Sequence, residues 1–182
     1  EQVEVPAEWA KIEVSKAKAV KKNNVPAFIS EVVEPINLLR GDDLKVSAFL
    51  GREDGTFPAG TTAFEKRGIA VNVPQWIAEN CIQCNQCSLV CPHAVIRAKQ
   101  ILPEELKNAP STFKTVKSKT KNDKNLDYKI QVYIEDCTGC GVCVQTCPAK
   151  PKALELKPIE EERKAGEAEN ANFFDNLTDN IL

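Results

Sequence analysis

The chain has 182 residues, with 24 Lys and Arg against 26 Asp and Glu for a formal net charge of -2, and is 42% hydrophobic and 27% charged. That balance is ordinary for a folded domain and argues against disorder, while the near-neutral charge leaves no broad basic face and so no nucleic-acid partner. No stretch approaches the ~18 consecutive apolar residues of a membrane span, and the first thirty residues lack a signal-like apolar run, so the reading is no membrane and a cytoplasmic location. The chain starts at Glu1 and contains no methionine, which reads as an excised piece of something larger.

In chain order, residues 1–40 read as the helical end of a preceding domain. Phe28, Val32 and Ile36 follow at i, i+4, with Ile29 and Val33 beside them, in a packing stripe interrupted at Pro35 and ended by Gly41. Residues 41–70 read as a small turn-rich domain, whose segment 55–68, GTFPAGTTAFEKRG, has the glycines but not the order of a phosphate-binding loop. Short β-like segments then flank two cysteine-rich runs, at 69–73 and 95–98 around the first and at 129–134 and 153–157 around the second. Ile130, Val132 and Ile134 alternate with Gln131 and Tyr133, as in a half-buried strand.

All eight cysteines lie in those runs, CIQCNQCSLVCPHAV (81–95) and CTGCGVCVQTCPAKP (137–151), and each stands 56 residues from its counterpart. Pro92 and Pro148 keep the offset, so this is a duplicated unit. Disulfides would be scattered through a small secreted chain, and paired four-thiolate zinc sites would leave the extra cysteine and proline of each run without a role. The pattern C-x2-C-x2-C-x3-C-P is the ligand run of bacterial two-cluster [4Fe-4S] ferredoxins.

The first three cysteines of each run wrap one side of a cluster, which demands a tight loop. Gly139 and Gly141 supply positive φ in the second run. Gln83 and Asn85 hold those places in the first, and Asn85 and Gly141 are expected to share a left-handed conformation. From third to fourth cysteine the i, i+4 spacing makes one helical turn, which rises roughly 6 Å and carries the fourth thiolate away from the first three. Pro92 and Pro148 then stop the turn. Under the two-cluster ferredoxin rule, one cluster takes Cys81, Cys84, Cys87 and Cys147, and the other takes Cys137, Cys140, Cys143 and Cys91.

The expected fold class is α+β, a bacterial 2[4Fe-4S] ferredoxin-like duplicated β-α-β core over residues 71–158 with an N-terminal helical or irregular extension. Leu89, Val90, Ile96, Val142, Val144 and Leu154 are the few aliphatics available to pack it, so the clusters should be needed for folding. Residues 99–129 read as an inserted loop, and its lysine-rich part 114–129 as an exposed excursion, solvated or steering acidic electron carriers through Lys117, Lys119 and Lys121. Residues 159–182 read as a linker to a following domain, with Phe173, Phe174, Leu177 and Ile181 buried against another domain or chain. His93, the sole histidine, has no ligand role to fill, and no grouping of catalytic side chains stands out.

GDDLKVSAF, GTFPAGTTAFEKRGIAV and CIQCNQCSLVCPHAVIR, in that order, resemble the middle of the pyruvate:ferredoxin oxidoreductase family across about residues 25–158. The resemblance implies a small domain bearing Glu65-Lys66-Arg67 ahead of a two-cluster domain. It further implies a homodimeric, thiamine diphosphate-dependent parent that oxidises pyruvate with coenzyme A to acetyl-CoA and CO2. Three clusters then pass electrons to ferredoxin or flavodoxin. This chain would carry two of them, while the thiamine diphosphate and the third [4Fe-4S] cluster belong to other domains. A free-standing or differently fused low-potential ferredoxin and, more remotely, a zinc-binding interaction module are the alternatives.

Overall fold

The computed structural model describes residues 25–120 and 125–179 and divides the chain into two units, 1–65 and 66–182. In the first unit a π-helical turn, Ile29–Val33, runs directly into α1, Glu34–Asn37. Pro35 therefore does not interrupt the stripe. A proline has no N–H to donate and its ring crowds the carbonyl four residues back, and the wider turn, in which the Glu34 amide donates to the Ile29 carbonyl, absorbs both. The helix ends before Gly41, because Leu39 turns left-handed (φ 56) while the Arg40 amide reaches the Pro35 carbonyl and the Leu39 amide that of Ile36, a Schellman ending. Ile29 and Val32 are buried, and the Phe28 ring meets Phe57 edge-on at 5.3 Å under the Arg52 guanidinium. The described residues that follow are irregular, with 3-10 turns that include Val46–Phe49 and Thr61–Phe64.

The second unit is α+β, with two antiparallel sheets that carry the cysteine runs. Strands β1 (Asn72–Trp76) and β5 (Leu154–Pro158) form one, in register from Asn72 opposite Pro158 to Trp76 opposite Leu154. In the other, β4 (Asp127–Val132) lies between β2 (Ile96–Ile101) and the short β3 (Val116–Lys117). Each strand leading into a cysteine run thus pairs with the strand leaving the other run. Between the strands, α2 (Gln86–Leu89) and α3 (Val142–Thr146) supply the helical turns that follow the loops.

Strand positions differ from the expected ones by a few residues. β1 begins at Asn72, and Ile69 and Val71 are 66% and 79% exposed. Pro74 sits in its middle, which is tolerable because β1 is an edge. β4 also departs from a half-buried alternation: Gln131 is fully buried and Lys129 is 3% exposed. Tyr128 and Ile130 face the cysteines, and the opposite face is covered by the C-terminal segment.

That segment is not a bare linker. It forms α4 (Ile159–Lys164) and α5 (Glu167–Asp175), joined at Gly166 (φ 87), and returns over the sheet. Phe174 (1% exposed) and Leu177 (7%) pack with Ile101 and Phe113 in a second core, and Phe173 meets Phe113 edge-on at 4.8 Å. Lys99 donates to the carbonyls of Phe174 (3.1 Å) and Leu177 (2.7 Å), closing the C-terminal end of α5 where the helix dipole favours a cation. The aromatic residues of the tail are therefore covered from within the same chain, by residues of the insertion 99–129, which is correspondingly not an exposed loop throughout. Ile181 and Lys121 lie outside the described residues.

A Phe174→Ala substitution should cost about 3–5 kcal/mol, as expected for emptying a buried aromatic site. Denaturant unfolding measures it. A loss below about 1 kcal/mol would mean that the tail does not share this core.

Candidate metal centre

Both cysteine runs enter through a 3-10 turn, Ala78–Asn80 before Cys81 and Ile134–Asp136 before Cys137. Inside the loops the backbone turns left-handed twice at matching places: Gln83 (φ 62) and Asn85 (φ 57) in the first, Gly139 (φ 72) and Gly141 (φ 74) in the second. Asn85 and Gly141 thus hold the same conformation, each at the N-terminus of its helical turn. Gln83 is the less expected member. Its side chain is zipped to the insertion, donating to the Lys117 carbonyl at 2.7 Å and accepting from the Lys119 amide at 2.8 Å. The Tyr128 hydroxyl donates to Asn85 Oδ1, and Lys119 Nζ donates to the Cys81 carbonyl at 3.3 Å. The insertion is thereby a strap that holds the first loop.

The second loop is held from the other side. Lys66 pairs with Asp136, the Gly68 amide donates to the Glu135 carbonyl at 3.0 Å, and Arg163 forks onto the Glu135 carboxylate with both contacts at 2.7 Å. Hydrogen bonding from Arg163 holds that carboxyl below its usual range. Lys66, from the Glu-Lys-Arg segment, and Glu135 are thus what pins the residues just ahead of Cys137.

The one helical turn in each half carries its third cysteine inward and leaves other members of the turn outward. Leu89 is 86% exposed and Val142 41%, so neither packs the core as expected. Ile96 and Leu154 do. A single turn has one inward face, and the cysteines occupy it.

Two cavities of similar extent result. The first is walled by Cys81, Cys84, Cys87 and Cys147 with Trp76 and Tyr128, the second by Cys137, Cys140, Cys143 and Cys91 with Pro74 and His93. Cys147 therefore joins the first loop and Cys91 the second. All eight are free thiols, of which Cys84 and Cys140 are exposed and Cys137 and Cys143 buried. Backbone amides point at sulfur in both, from Ala153 to Cys147 at 3.4 Å and from Gly139 to Cys137 at 3.3 Å. Burial pushes the Cys87 and Cys143 thiols up to about 11, so each keeps its proton at neutral pH unless a cation takes its place. Among the described residues no three His, Cys, Asp or Glu side chains converge on a point small enough for a single metal ion. The thiols instead ring the walls of a cavity.

Sequence reasoning grouped the cysteines and set Gln83 opposite Gly139, but missed Trp76 and Tyr128, neither of which carries a spacing signal. His93 sits in the second cavity wall.

Gly139 is needed on two counts: a Cβ there would stand 3.0 Å from the Asn72 carbonyl oxygen, in a backbone conformation that side chains avoid. At Gly141 a Cβ would meet only a Leu156 methyl, at 3.7 Å. Gly141→Ala should cost about 1–2 kcal/mol for the left-handed φ, and Gly139→Ala clearly more, because a backbone oxygen cannot move aside. Urea midpoints of the two variants decide it, and equal losses would refute the close approach.

Residues 80–151 match the model of a 4Fe-4S dicluster domain, and residues 15–70 that of EKR, described as a domain of unknown function. The chain is 52% identical over 177 residues to the pyruvate:ferredoxin oxidoreductase of Moorella thermoacetica, an alignment covering 97% of this chain and 15% of that protein. It is 46% identical to the pyruvate-flavodoxin oxidoreductase of Enterobacter agglomerans, over 87% of the chain and 13% of the relative. It is 43% identical to the mitochondrial pyruvate dehydrogenase [NADP(+)] of Euglena gracilis, over 86% of the chain and 8% of the relative. The chain thus spans about one seventh of the length of the first two. Carrying an EKR segment followed by a 4Fe-4S dicluster segment, it belongs to the pyruvate:ferredoxin and pyruvate-flavodoxin oxidoreductase family.

Proposed function

We propose that each cavity holds one [4Fe-4S] cluster, the first on Cys81, Cys84, Cys87 and Cys147 and the second on Cys137, Cys140, Cys143 and Cys91, and that the chain is an electron relay. The observation that carries this reading is the exchange of the fourth cysteine, which leaves four thiols around each of two cavities of similar size. The donor set fits the group. Four thiolates per site suit iron-sulfur ligation, amides directed at sulfur offset the charge of the cluster, and the tight loops leave those amides free to do so. When bound, each cluster supplies a site that takes up and releases one electron.

The residues of the chain do the rest. Cysteine thiolates hold the two sites on either side of the paired turns α2 and α3, so the gap between them is set by one helical turn and side-chain reach. Trp76, Tyr128 and Pro74 close the cavity walls against water. Lys66 and Arg163 fix the approach to Cys137, and the strap fixes the approach to Cys84.

The relay serves a cytoplasmic enzyme that oxidises pyruvate with coenzyme A on thiamine diphosphate and delivers the electrons to ferredoxin or flavodoxin. Thiamine diphosphate, a third [4Fe-4S] cluster and a homodimeric assembly complete that enzyme in its other domains. The names of the relatives support the pyruvate and the ferredoxin or flavodoxin of this assignment, and the order of EKR and dicluster segments supports the place of the relay in it.

Anaerobically purified protein should contain roughly eight iron and eight sulfide per chain and a brown absorption bleached by dithionite. Colourless protein with zinc and no sulfide would sink the reading. Cys91→Ala should lose the second-cavity cluster selectively, seen as about half the iron with Cys147→Ala as the mirror case; loss of the first-cavity cluster in Cys91→Ala would reverse the ligand assignment.

A further inference from the structure

Beside β4 lies a pocket open to solvent, walled in part by Trp76, Lys114, Lys129, Glu162 and Glu167. Lys129 is the unusual member. It is 3% exposed, its ammonium sits 5.3 Å from the Trp76 ring centroid and 4.6 Å from that of Phe113, and among the described residues it has no ion-pair partner. A cation on aromatic faces inside a protein is attracted to them but is not neutralised by them. Its neighbours on β4, Tyr128 and Ile130, wall the first cysteine cavity, and Trp76 walls both cavities. The indole is thus common to the pocket of the ammonium and to the cavity of Cys81, Cys84, Cys87 and Cys147.

Among the described residues the second cysteine cavity, which touches the same pocket through Pro74, has no buried cation of its own. Fifty-six residues upstream of Lys129, at the matching place in the duplicated unit, stands Val73, fully buried in β1 next to Pro74 of the second cavity wall. Backbone amides do not separate the two sites. Ser88 and Ala153 serve Cys87 and Cys147 in the first, and Gly139 and Val144 serve Cys137 and Cys143 in the second. Burial does separate them, in the same sense as the lysine. Cys137 and Cys143 are each 7% exposed, while none of the four thiols of the first cavity is that buried.

Resting on the two-cluster reading, we propose that Lys129, acting through the Trp76 indole, makes the cluster of the first cavity the more readily reduced of the two. Reduction adds one negative charge to a cluster, and a positive charge on a side chain only 3% exposed, where screening is weakened, stabilises that added charge. One electron passes from the second site to the first, no bond forms or breaks, and Lys129 keeps its proton. The electron comes to rest on the side covered by the strap. Lys129 is a positioning residue here, since it touches neither cluster nor ligand.

The charge is adjustable. Burial lowers the Lys129 ammonium to about 8, opposed by Glu167 of α5 and assisted by Lys114 of the strap, while Glu162 of α4 and Glu79 face the same cavity. Above that pH the cation is lost and with it the preference; below it the preference is complete.

The test is an EPR-monitored redox titration of the full-length protein, purified anaerobically, as wild type, Lys129→Met and Lys129→Arg. Cys84→Ser and Cys140→Ser assign each signal to its cavity. The wild type should show two steps, the higher belonging to the first cavity and drifting downward between pH 7 and 9. Lys129→Met should lower that step alone and flatten its pH dependence, whereas Lys129→Arg should keep it high and equally flat. A higher step assigned to the second cavity overturns the proposal, as does a Lys129→Met shift that is absent or equal for both. Should Lys129→Met fail to retain clusters, the wild-type profile decides alone, because a first step that does not move between pH 7 and 9 also overturns it. Absence of iron and sulfide from the wild type would strike the two-cluster reading itself, and metal analysis reports that outcome before any potential is measured.

Discussion

Antiparallel pairing of β1 with β5 and of β2 with β4 ties the strand entering each cysteine run to the strand leaving the other. Once those ladders form, the third-to-fourth cysteine turn in each half has only one way to run, and Cys91 and Cys147 are delivered across the midline. The exchange of the fourth cysteine between the two cavities is therefore a property of the sheets before it is a property of the loops. A run with the same cysteines on unpaired strands would have no reason to exchange its fourth thiol.

Two different devices hold the two loops in similar shapes. In the second, glycine makes the left-handed turns unaided, and the loop lies so close to Asn72 that nothing larger fits. In the first, Gln83 and Asn85 adopt turns that cost a side chain roughly 1–2 kcal/mol each, and hydrogen bonds from the strap and from Tyr128 offset that cost. One loop is shaped by the absence of side chains and the other by their partners. The insertion is thus part of the site, although it contributes no ligand.

The grouping of the cysteines was legible in the sequence because thiol spacing and proline placement act over a dozen residues, within reach of local geometry. The positions of β1 and β4 were less so. Pro74 hides an edge strand, and the apolar Ile69 and Val71 that suggested one are exposed. Lys129 was invisible for a plainer reason. In a run that includes Lys114, Lys117, Lys119 and Lys121 it looks solvated, and only Phe113, Trp76 and a helix more than thirty residues downstream place it inside. The same distance concealed the destination of Phe174, whose partners Ile101 and Phe113 lie some sixty to seventy residues back along the chain. No helix among the described residues is long and apolar enough to cross a membrane, in agreement with the hydropathy of the sequence.

The register of β1 with β5 sets Asn72 opposite Pro158, 86 residues later in the chain. A ladder of that separation closes a long loop and forms slowly compared with local turns. During synthesis the first loop can present Cys81, Cys84 and Cys87 long before Cys147 has been made, so its site is complete only near the end of translation of this segment. The second loop meets Cys91 already waiting. Synthesis order is thereby written into the topology: the cavity whose fourth thiol comes from upstream has its full set as soon as its own loop is made, and the one that borrows from downstream waits with three thiols until Cys147.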